Sequence, residues 1–459
     1  MREVGEEEKE RMVKNPQNQQ NQKNSITVNT RWVSGLHWRV LLLIPSLTFL
    51  LFLSLLTLSI TTNSNLLRTL FYSRTPPRSS SFQNTTAAAS ARRESGKRVH
   101  DTTSFEPKTK EELLRSRIAV CLVGGARRFE LTGPSIVERV LKEYPNSDLF
   151  LHSPLDPNSY KLSLLKIAPR IASIRIFSPK ILPENESQLR VLTASNSPNG
   201  IQGLLQYFNL VEGCLTLIRE YQTKNDFTYD WIIRTRVDGY WNAPLGPENF
   251  IPGHYVVPPG SSYGGLNDRL GVGDFNTSVV ALSRLSLIPK LDSAGLCQLN
   301  SESSFKAQLT TSHVPHLTKR IPFCIVTDRR YRFPPSRFGV PVAAMSSPGP
   351  LSGAKCRPCT LVCDGPCVAN VMMLLNKGWS WTDWGNGELQ LCDAHGPWEK
   401  NWSQIFDKLA GRKLAKHRKR VGALKVSECV NDFEEMRRRA GFWDVPPSEE
   451  ICKIGLDPK

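Results

Sequence analysis

The sequence lacks the signatures that identify most nucleic-acid-binding proteins. It has no zinc-finger spacing and no RNA-binding signature, and its densest basic run, RKLAKHRKR at 412–420, contains no aromatic residue. Nucleic acid is commonly bound by basic residues interleaved with aromatics, so this run predicts a solvated helix face instead. The alternative is a patch for a polyanionic glycan or a phosphate-bearing surface, which needs only clustered positive charge. The excess of 59 Lys and Arg over 42 Asp and Glu therefore does not indicate a nucleic-acid partner.

Charge is absent from residues 40–60, VLLLIPSLTFLLFLSLLTLSI. A run of this length matches one crossing of a bilayer. A cleavable signal peptide would have a shorter apolar region nearer the start and a small-residue cleavage site, so we predict an uncleaved transmembrane signal anchor. Residues 1–39 include the amide-rich tract NPQNQQNQKN and have too little apolar surface to fold, which predicts a disordered tail.

Cysteines and glycosylation sequons are absent before the predicted anchor. The first cysteine is Cys121, and the sequons lie at Asn84, Asn185, Asn276 and Asn401. Disulfides and N-glycans belong to the oxidising lumenal side of a membrane, whereas the positive residues flanking the span are evenly divided. We therefore predict a single-pass type II protein with a cytosolic amino terminus and a lumenal C-terminal part. Residues 61–115, rich in Ser, Thr, Arg and Pro, predict a flexible lumenal stem.

From residue 116 the pattern alternates between strands and helices. An apolar run at 118–125 that ends in glycines, and runs at 147–153 and 171–178, predict strands, and a 3.6-residue apolar period at 203–221 predicts a helix packed on a sheet. This alternation predicts an α/β domain at 116–345, with a mainly parallel sheet flanked by helices. Ligands of such sheets bind at the carboxyl ends of the strands.

Later in the same domain, a Gly- and Pro-rich region at 254–278 has the length and glycine content of a mobile active-site loop. Helices are predicted at 278–291 and 303–311, and a strand at 321–328.

The segment YDWIIRTRVDGYW at 229–241 predicts a buried strand that delivers Arg234, Arg236 and Asp238 to its carboxyl end, where Gly239 starts a turn. Guanidinium groups suit phosphate, and carboxylate oxygen suits Mg²⁺ or Mn²⁺, so the trio could hold a diphosphate with a cation. A structural Arg–Asp ion pair is the alternative.

A second candidate site is the glycine turn after the first predicted strand. Gly124 and Gly125 would let backbone approach a ligand, and Arg127 and Arg128 could face a phosphate. The turn is neither a dinucleotide fingerprint nor a P-loop, so an ordinary tight turn with solvated arginines is the alternative.

Residues 346–459 predict a Cys- and Trp-rich C-terminal extension. Disulfides are favoured over a zinc site for its clustered cysteines, Cys356, Cys359, Cys363, Cys367 and Cys392, because the predicted side is oxidising. Cys121 and Cys324 lie in apolar strands and are predicted to be buried thiols. The odd total of eleven leaves at least one thiol free or intermolecular.

The extension also carries tryptophans and a histidine. Those in WSWTDWGNGELQLCDAHGPWEKNW at 379–402 suit either a sugar-stacking surface or packing on a disulfide core. His395 is either structural or a further metal ligand.

The run YDWIIRTRVD resembles a segment of GT-A-type nucleotide-sugar glycosyltransferases. NDRLGVGDF at 267–275 and NSESSFKAQL at 300–309 resemble the acceptor-side segment and the Glu-bearing helix that follow it. The whole chain also looks like a group of plant single-pass membrane proteins of uncharacterised function. The resemblance covers about 117–335 and implies a GT-A-like, Rossmann-related fold.

By this resemblance, Asp238 corresponds to the carboxylate of a metal-binding Asp-x-Asp element whose first Asp is here Arg236. The resemblance implies a Golgi glycosyltransferase with a nucleotide-sugar donor and a glycan acceptor. Asp268 or Glu302 would be the base, and the cation would be Mn²⁺ or Mg²⁺ unless Arg236 supplies that charge. The alternative is a non-catalytic lumenal protein that keeps the fold and binds a glycan or a partner.

Overall fold

The computed structural model describes residues 106–457 except 196, 198, 331–341 and 375–388. The predicted tail, the predicted anchor at 40–60 and Asn84 lie outside these residues, as does the predicted stem up to residue 105. Within them, no helix is both long and apolar enough to span a bilayer. The last residues assigned to the stem form a helix at Lys110–Arg115, which begins with a Thr109 capping box and buries Leu113. The folded part therefore begins earlier than the sequence predicts.

Helices and strands are interspersed along the described part of the chain. The helices are α1 (Lys110–Arg115), α2 (Phe129–Ile136), α3 (Glu186–Val191), α4 (Gly200–Asn225), α5 (Phe275–Leu282), α6 (Ile288–Ser293), α7 (Ser301–Thr311), α8 (Pro366–Leu374), α9 (Trp402–Gly422), α10 (Val426–Arg439) and α11 (Ser448–Leu456). The strands are β1 (Ile118–Val123), β2 (Ser147–Pro154), β3 (Ile171–Phe177), β4 (Trp231–Arg236), β5 (Gly239–Trp241), β6 (Tyr255–Val257), β7 (Leu270–Asp274), β8 (His316–Thr318), β9 (Phe323–Val326), β10 (Ala343–Ala344), β11 (Ala354–Arg357), β12 (Leu361–Cys363), β13 (Leu391–Cys392) and β14 (Phe442–Asp444).

The larger sheet has eight strands in the order β14-β3-β2-β1-β4-β7-β6-β8. Its first five strands in that order are parallel, and β7 pairs antiparallel with β4. Val123 at the end of β1 pairs with both His152 and Arg236, so the carboxyl ends of β1, β2 and β4 meet at one edge. The predicted α/β architecture is confirmed at this level.

Helix α4 covers one face of this sheet, because its apolar residues recur at helical spacing. The predicted stripe is buried. Its part from Val211 to Ile218 packs with β1 and β2, whereas Leu204 packs with residues of α3 and α6. Its fit is tight: a Cβ added at Gly213 would lie 2.1 Å from the ring of His152. Glycine at this helix position is therefore required by packing, despite its poor helix propensity.

The smaller sheet has six strands in the order β12-β13-β10-β11-β9-β5. Only Val237 and Asp238 separate β4 from β5, and the turn that they form carries the chain from one sheet into the other. Gly239 on β5 pairs with Ile325 on β9, which in turn pairs with Lys355 on β11. The predicted extension at 346–459 thus contributes strands to this sheet, and it also contributes β14 to the larger one.

Two local predictions in the middle of the chain differ from the structure. The predicted loop at 254–278 contains β6 and β7, which pair with each other, so only 258–269 connects them. The predicted helix at 278–291 is interrupted, because Ser283 leaves the helical region (ψ 59°) and α6 restarts with Pro289 in its first turn. Proline is accepted there because first-turn amides have no intrahelical partner.

The cysteines form five disulfides, Cys121–Cys214, Cys324–Cys356, Cys359–Cys392, Cys363–Cys367 and Cys429–Cys452. All five cysteines proposed as disulfide candidates are bonded, which confirms that prediction. The prediction that Cys121 and Cys324 are buried thiols is wrong. Their partners lie 93 and 32 residues away along the chain, so local apolarity gave no indication of the bond. Cys297 is free and exposed.

We expect the unfolded, unreduced protein to expose one reactive thiol per chain, because every cysteine except Cys297 is disulfide-bonded. Thiol titration in denaturant measures this number directly, and Cys297→Ser should remove the signal. Three thiols per chain would show that one of the five disulfides is absent.

Candidate functional site

The turn between β4 and β5 holds a bidentate ion pair. Arg236 donates from Nε to Oδ1 of Asp238 at 2.9 Å and from Nη2 to Oδ2 at 2.7 Å. Burial alone would raise the pKa of Asp238, but Arg236 holds it below its usual value. The next position must be glycine, because a Cβ added at Gly239 would lie 2.3 Å from the ring of Phe323. Of the predicted trio, Arg236 and Asp238 thus form a charged pair in a tightly packed turn, whereas Arg234 contacts Asp268.

A second group of charges surrounds Asp268, in the connection before β7. Arg234 donates to the backbone carbonyl of Asp268, and the Ser301 hydroxyl donates to the carboxylate of Asp268. Tyr207 on α4 donates to the same carbonyl at 2.6 Å, and Arg284 lies 3.8 Å from the carboxylate. Although burial would raise it, the pKa of Asp268 is lowered by Arg284 and Arg234. Asp268 is therefore held ionised and is a poor proton acceptor at neutral pH.

Lys355 and Arg269 complete the cluster. Arg269 is 5% exposed and donates to the Gly353 carbonyl at 3.4 Å, while its Nε has no hydrogen-bond partner among the described residues. Burial lowers the pKa of Lys355 well below its usual value, and the nearby charges of Arg269 and Arg236 lower it further. Lys355 and Arg269 therefore lie near other positively charged side chains, including Arg236.

Glu302, in the first turn of α7, behaves differently from the two aspartates. Burial first, and then the charge of Asp268, raises its pKa to about 7. A carboxylate with a pKa near neutrality accepts a proton efficiently under physiological conditions. Glu302 is therefore the best-suited general base of the cluster.

The cluster as a whole carries more basic groups than acidic ones. Arg234, Arg236, Arg269, Arg284 and Lys355 face Asp238, Asp268 and Glu302, and the pKa of Glu302 leaves it only partly ionised at pH 7. Arg234, Arg269 and Arg284 are each at most 5% exposed. Uncompensated buried charge is costly, so this arrangement favours the binding of an anion.

The predicted glycine turn lies at the same edge of the sheet. Gly124 has φ +118°, a conformation that side chains with a Cβ rarely adopt, and a Cβ at Gly125 would lie 2.6 Å from Asp156 Oδ2. Arg127 is exposed, and its charge also lowers the pKa of Asp238. The turn thus presents Arg127 towards the Arg236–Asp238 pair.

Arg128 has another role. It forms a bidentate pair with Asp328, with distances of 2.9 Å from Nε and 2.7 Å from Nη2 to Oδ1, and its guanidinium lies 4.1 Å from the centre of the Trp398 ring. These contacts hold α2 against the smaller sheet. The structure therefore does not bring Arg128 into the charge cluster as a free phosphate ligand.

An apolar groove with a volume of 660 Å³ opens at the carboxyl ends of β2 and β3. Its walls include Pro154, Phe177 and Leu210, with the amides of Gln206 and Asn209 at its margin. Because Gln206 and Asn209 lie beside Tyr207 on α4, this one helix contacts both the groove and the charge cluster.

Sequence reasoning missed three members of the cluster, Tyr207, Arg284 and Lys355. Tyr207 lies on the helix predicted at 203–221 but outside its apolar stripe, and Arg284 lies inside a helix predicted to be continuous. Lys355 lay in the segment assigned to a separate extension. No local pattern marks Arg284 or Lys355 as a site residue, because each reaches the cluster through contacts between distant parts of the chain.

The donor set at Asp238 does not fit a divalent cation. Each of its carboxylate oxygens already accepts a hydrogen bond from Arg236, and Lys355 and Arg127 add positive charge nearby. In the part of the chain that the structure describes, no group of three or more His, Cys, Asp or Glu side chains gathers as a metal site. His395 pairs instead with Asp393 at 2.8 Å.

The other predicted surface features are only partly described. Trp398 and Trp402 pack edge to face with ring centres 5.1 Å apart beside the smaller sheet, while Trp379, Trp381 and Trp384 lie outside the described residues. The sequon residues Asn185, Asn276 and Asn401 are exposed. Asn185 also accepts from the Gln188 amide as the N-cap of α3.

The chain belongs to the family described as Domain of unknown function (DUF7796), whose model matches residues 113–458. No curated protein matches the chain.

Glu302→Gln should stabilise the protein at pH 8 but not at pH 4.5. Because the folded-state pKa is about 7 and the ordinary value is 4.5, the wild type loses stability as pH rises through this window. The variant should therefore melt roughly 2 °C or more higher at pH 8. Glu111→Gln, an exposed carboxylate on α1, is the matched control and should show no such pH-dependent difference. Equal melting curves for Glu302→Gln and wild type at both pH values would contradict the assignment.

Proposed function

We propose that this protein is a glycosyltransferase that moves a sugar from a nucleotide-sugar donor to a glycan or glycoprotein acceptor. The observation that carries the proposal is the excess of buried basic groups at the carboxyl end of β4. Buried guanidinium groups need an anionic partner, and a diphosphate presents fork-matched oxygens to several of them at once. The resemblance of 229–238 to the corresponding transferase segment supports the same function.

The donor would lie along the edge where the parallel strands end. Its diphosphate would contact Arg236 and the glycine turn at Gly124 and Gly125, where backbone can approach closely. The apolar groove beside β2 and β3 is large enough for a planar base and its ribose, and Gln206 and Asn209 offer amides for recognition. Ligands of open α/β sheets bind at this edge, which favours the assignment.

Glu302 would act as the general base in a single displacement. It would take the proton of an acceptor hydroxyl while the acceptor oxygen forms a bond to the sugar's anomeric carbon. The bond from that carbon to the phosphate oxygen would break, and the nucleoside diphosphate would leave with the electron pair. Arg236, and the other basic groups near it, would stabilise the charge that develops on the leaving phosphate.

Asp238 has a supporting role in this proposal. Its carboxylate fixes the guanidinium plane of Arg236 through two hydrogen bonds, so it positions the arginine that faces the phosphate. The same closed pair favours a second candidate, a non-catalytic protein that binds a glycan or partner. The two differ in whether a nucleotide-sugar is bound and consumed.

The proposed setting is the Golgi membrane, with the transferase domain in the lumen. The apolar run at 40–60 supports a single span. The exposure of Asn185, Asn276 and Asn401 is compatible with lumenal glycosylation, and the five disulfides fit an oxidising compartment.

Replacing the Arg236–Asp238 pair by a neutral one should weaken donor binding. We expect the double variant Arg236→Ala, Asp238→Asn to raise the Kd of the preferred UDP- or GDP-sugar about tenfold or more, since charge-assisted hydrogen bonds to phosphate are lost. Isothermal titration of the full chain in detergent measures this. The matched control is Arg190→Ala, Asp292→Asn, which removes an Arg–Asp pair on α3 and α6 and should leave the Kd unchanged. Equal affinity in the wild type and the site variant would contradict the donor position.

Glu302→Gln should lower the rate of sugar transfer about 100-fold or more while leaving donor affinity unchanged, because only the proton acceptor is lost. The measurement is transfer of radiolabelled sugar, with hydrolysis by water scored separately. Donor binding without transfer or hydrolysis in the wild type would favour the non-catalytic protein.

A further inference from the structure

A lysine on the smaller sheet lies close to the carboxyl end of β4 in the larger sheet. Lys355 on β11 is in register with Ile325 on β9, and Ile325 is in register with Gly239 on β5. Residues paired across adjacent strands share one face of the sheet, and Gly239 has no side chain there. Lys355 is therefore aligned with the turn that holds Asp238.

The position of β11 is fixed covalently. Cys324 and Cys356 join β9 to β11 by a disulfide, and Cys356 is the residue that follows Lys355. Cys324 also pairs with Tyr240, the residue after Gly239 on β5. Three strands and one disulfide thus hold the lysine beside the Arg236–Asp238 pair.

The charges around Lys355 suit the binding of an anion. Arg269 and Arg236 both lie close enough to lower the pKa of Lys355, and Asp238 is the nearby group that opposes them. Asp238 has no carboxylate oxygen free of a hydrogen bond from Arg236. The buried Nε of Arg269 has no partner among the described residues. A divalent cation here would meet three basic groups, whereas a diphosphate would satisfy them.

We propose that the site binds a nucleoside diphosphate without a divalent cation, with Arg236 and Lys355 supplying the positive charge that a cation would supply. This inference rests on the proposed function, since it concerns the donor's diphosphate. Arg236 contributes planar paired donors fixed by Asp238, and Lys355 contributes a compact charge from the opposite sheet. An anion between them would also relieve their mutual repulsion.

The test is titration of UDP and GDP into the full chain in detergent, once with excess EDTA and once with Mn²⁺. We expect the nucleotide that binds to show the same Kd, within about twofold, in both conditions. Lys355→Met should raise that Kd about tenfold or more, and Lys355→Arg should restore most of the affinity because it keeps the charge. Lys408→Met, an exposed lysine on α9, is the matched control and should bind as the wild type does.

Folding of the variant is checked independently. Lys355→Met removes a charge that Arg269 and Arg236 repel, so its melting temperature without nucleotide should equal or exceed that of the wild type. A loss of affinity in such a variant cannot be attributed to unfolding.

The possible results separate this inference from the proposed function. Binding that requires Mn²⁺, or an unchanged Kd in Lys355→Met, would overturn the inference and leave a metal-dependent transferase standing. Absence of UDP and GDP binding in both conditions would overturn the inference together with its premise.

Discussion

The burial of guanidinium groups at the carboxyl end of β4 is the constraint on which the rest of the site depends. Arg234 is 1% exposed on β4, an inner strand of the larger sheet, and a charge at that depth requires fixed partners. The Asp268 carbonyl and the hydroxyl of Tyr207 supply them. Asp268 lies in the connection between β6 and β7, and Tyr207 lies on α4. Arg234 therefore holds both of these elements against β4.

The short turn after β4 joins the two sheets and places the site between them. Strand β4 belongs to the parallel part of the larger sheet, while β5, starting at Gly239, belongs to the smaller one. The site consequently draws Arg236 from the end of β4, Asp238 from the turn, Asp268 from the connection between β6 and β7, and Lys355 from the smaller sheet. The segment after residue 345 is therefore part of the site's architecture, because it supplies β11 and the disulfide that fixes it.

Local sequence pattern was sufficient for the first four strands and the main helix. The apolar runs predicted β1 to β4, and the stripe of α4 is buried as its spacing requires. Arg236 and Asp238 could be recognised because both lie on one strand end. Arg284 and Lys355 could not, because each reaches the site through pairings between distant parts of the chain. The pairing of Cys121 with Cys214 was hidden for the same reason, since each cysteine lies in an apolar pattern that a buried thiol would also satisfy.

The helix predicted at 278–291 differs from the structure because of one residue, Ser283. The helix predicted at 278–291 breaks because Ser283 leaves helical geometry, and that break separates Arg284 from α5. Arg284 then donates to the Ser301 carbonyl at 2.7 Å, which links it to the first turn of α7 near Glu302. The break at Ser283, which the apolar period does not reveal, thus positions the buried Arg284 in the charge cluster.

The most direct test of the central claim, that this strand end is a phosphate site, is a crystal structure of the full chain with its preferred nucleoside diphosphate bound. We predict diphosphate oxygens within hydrogen-bond distance of both Arg236 and Lys355, with Asp238 still paired to Arg236. Diphosphate located away from the end of β4, or a cation bridging it to Asp238, would contradict the account.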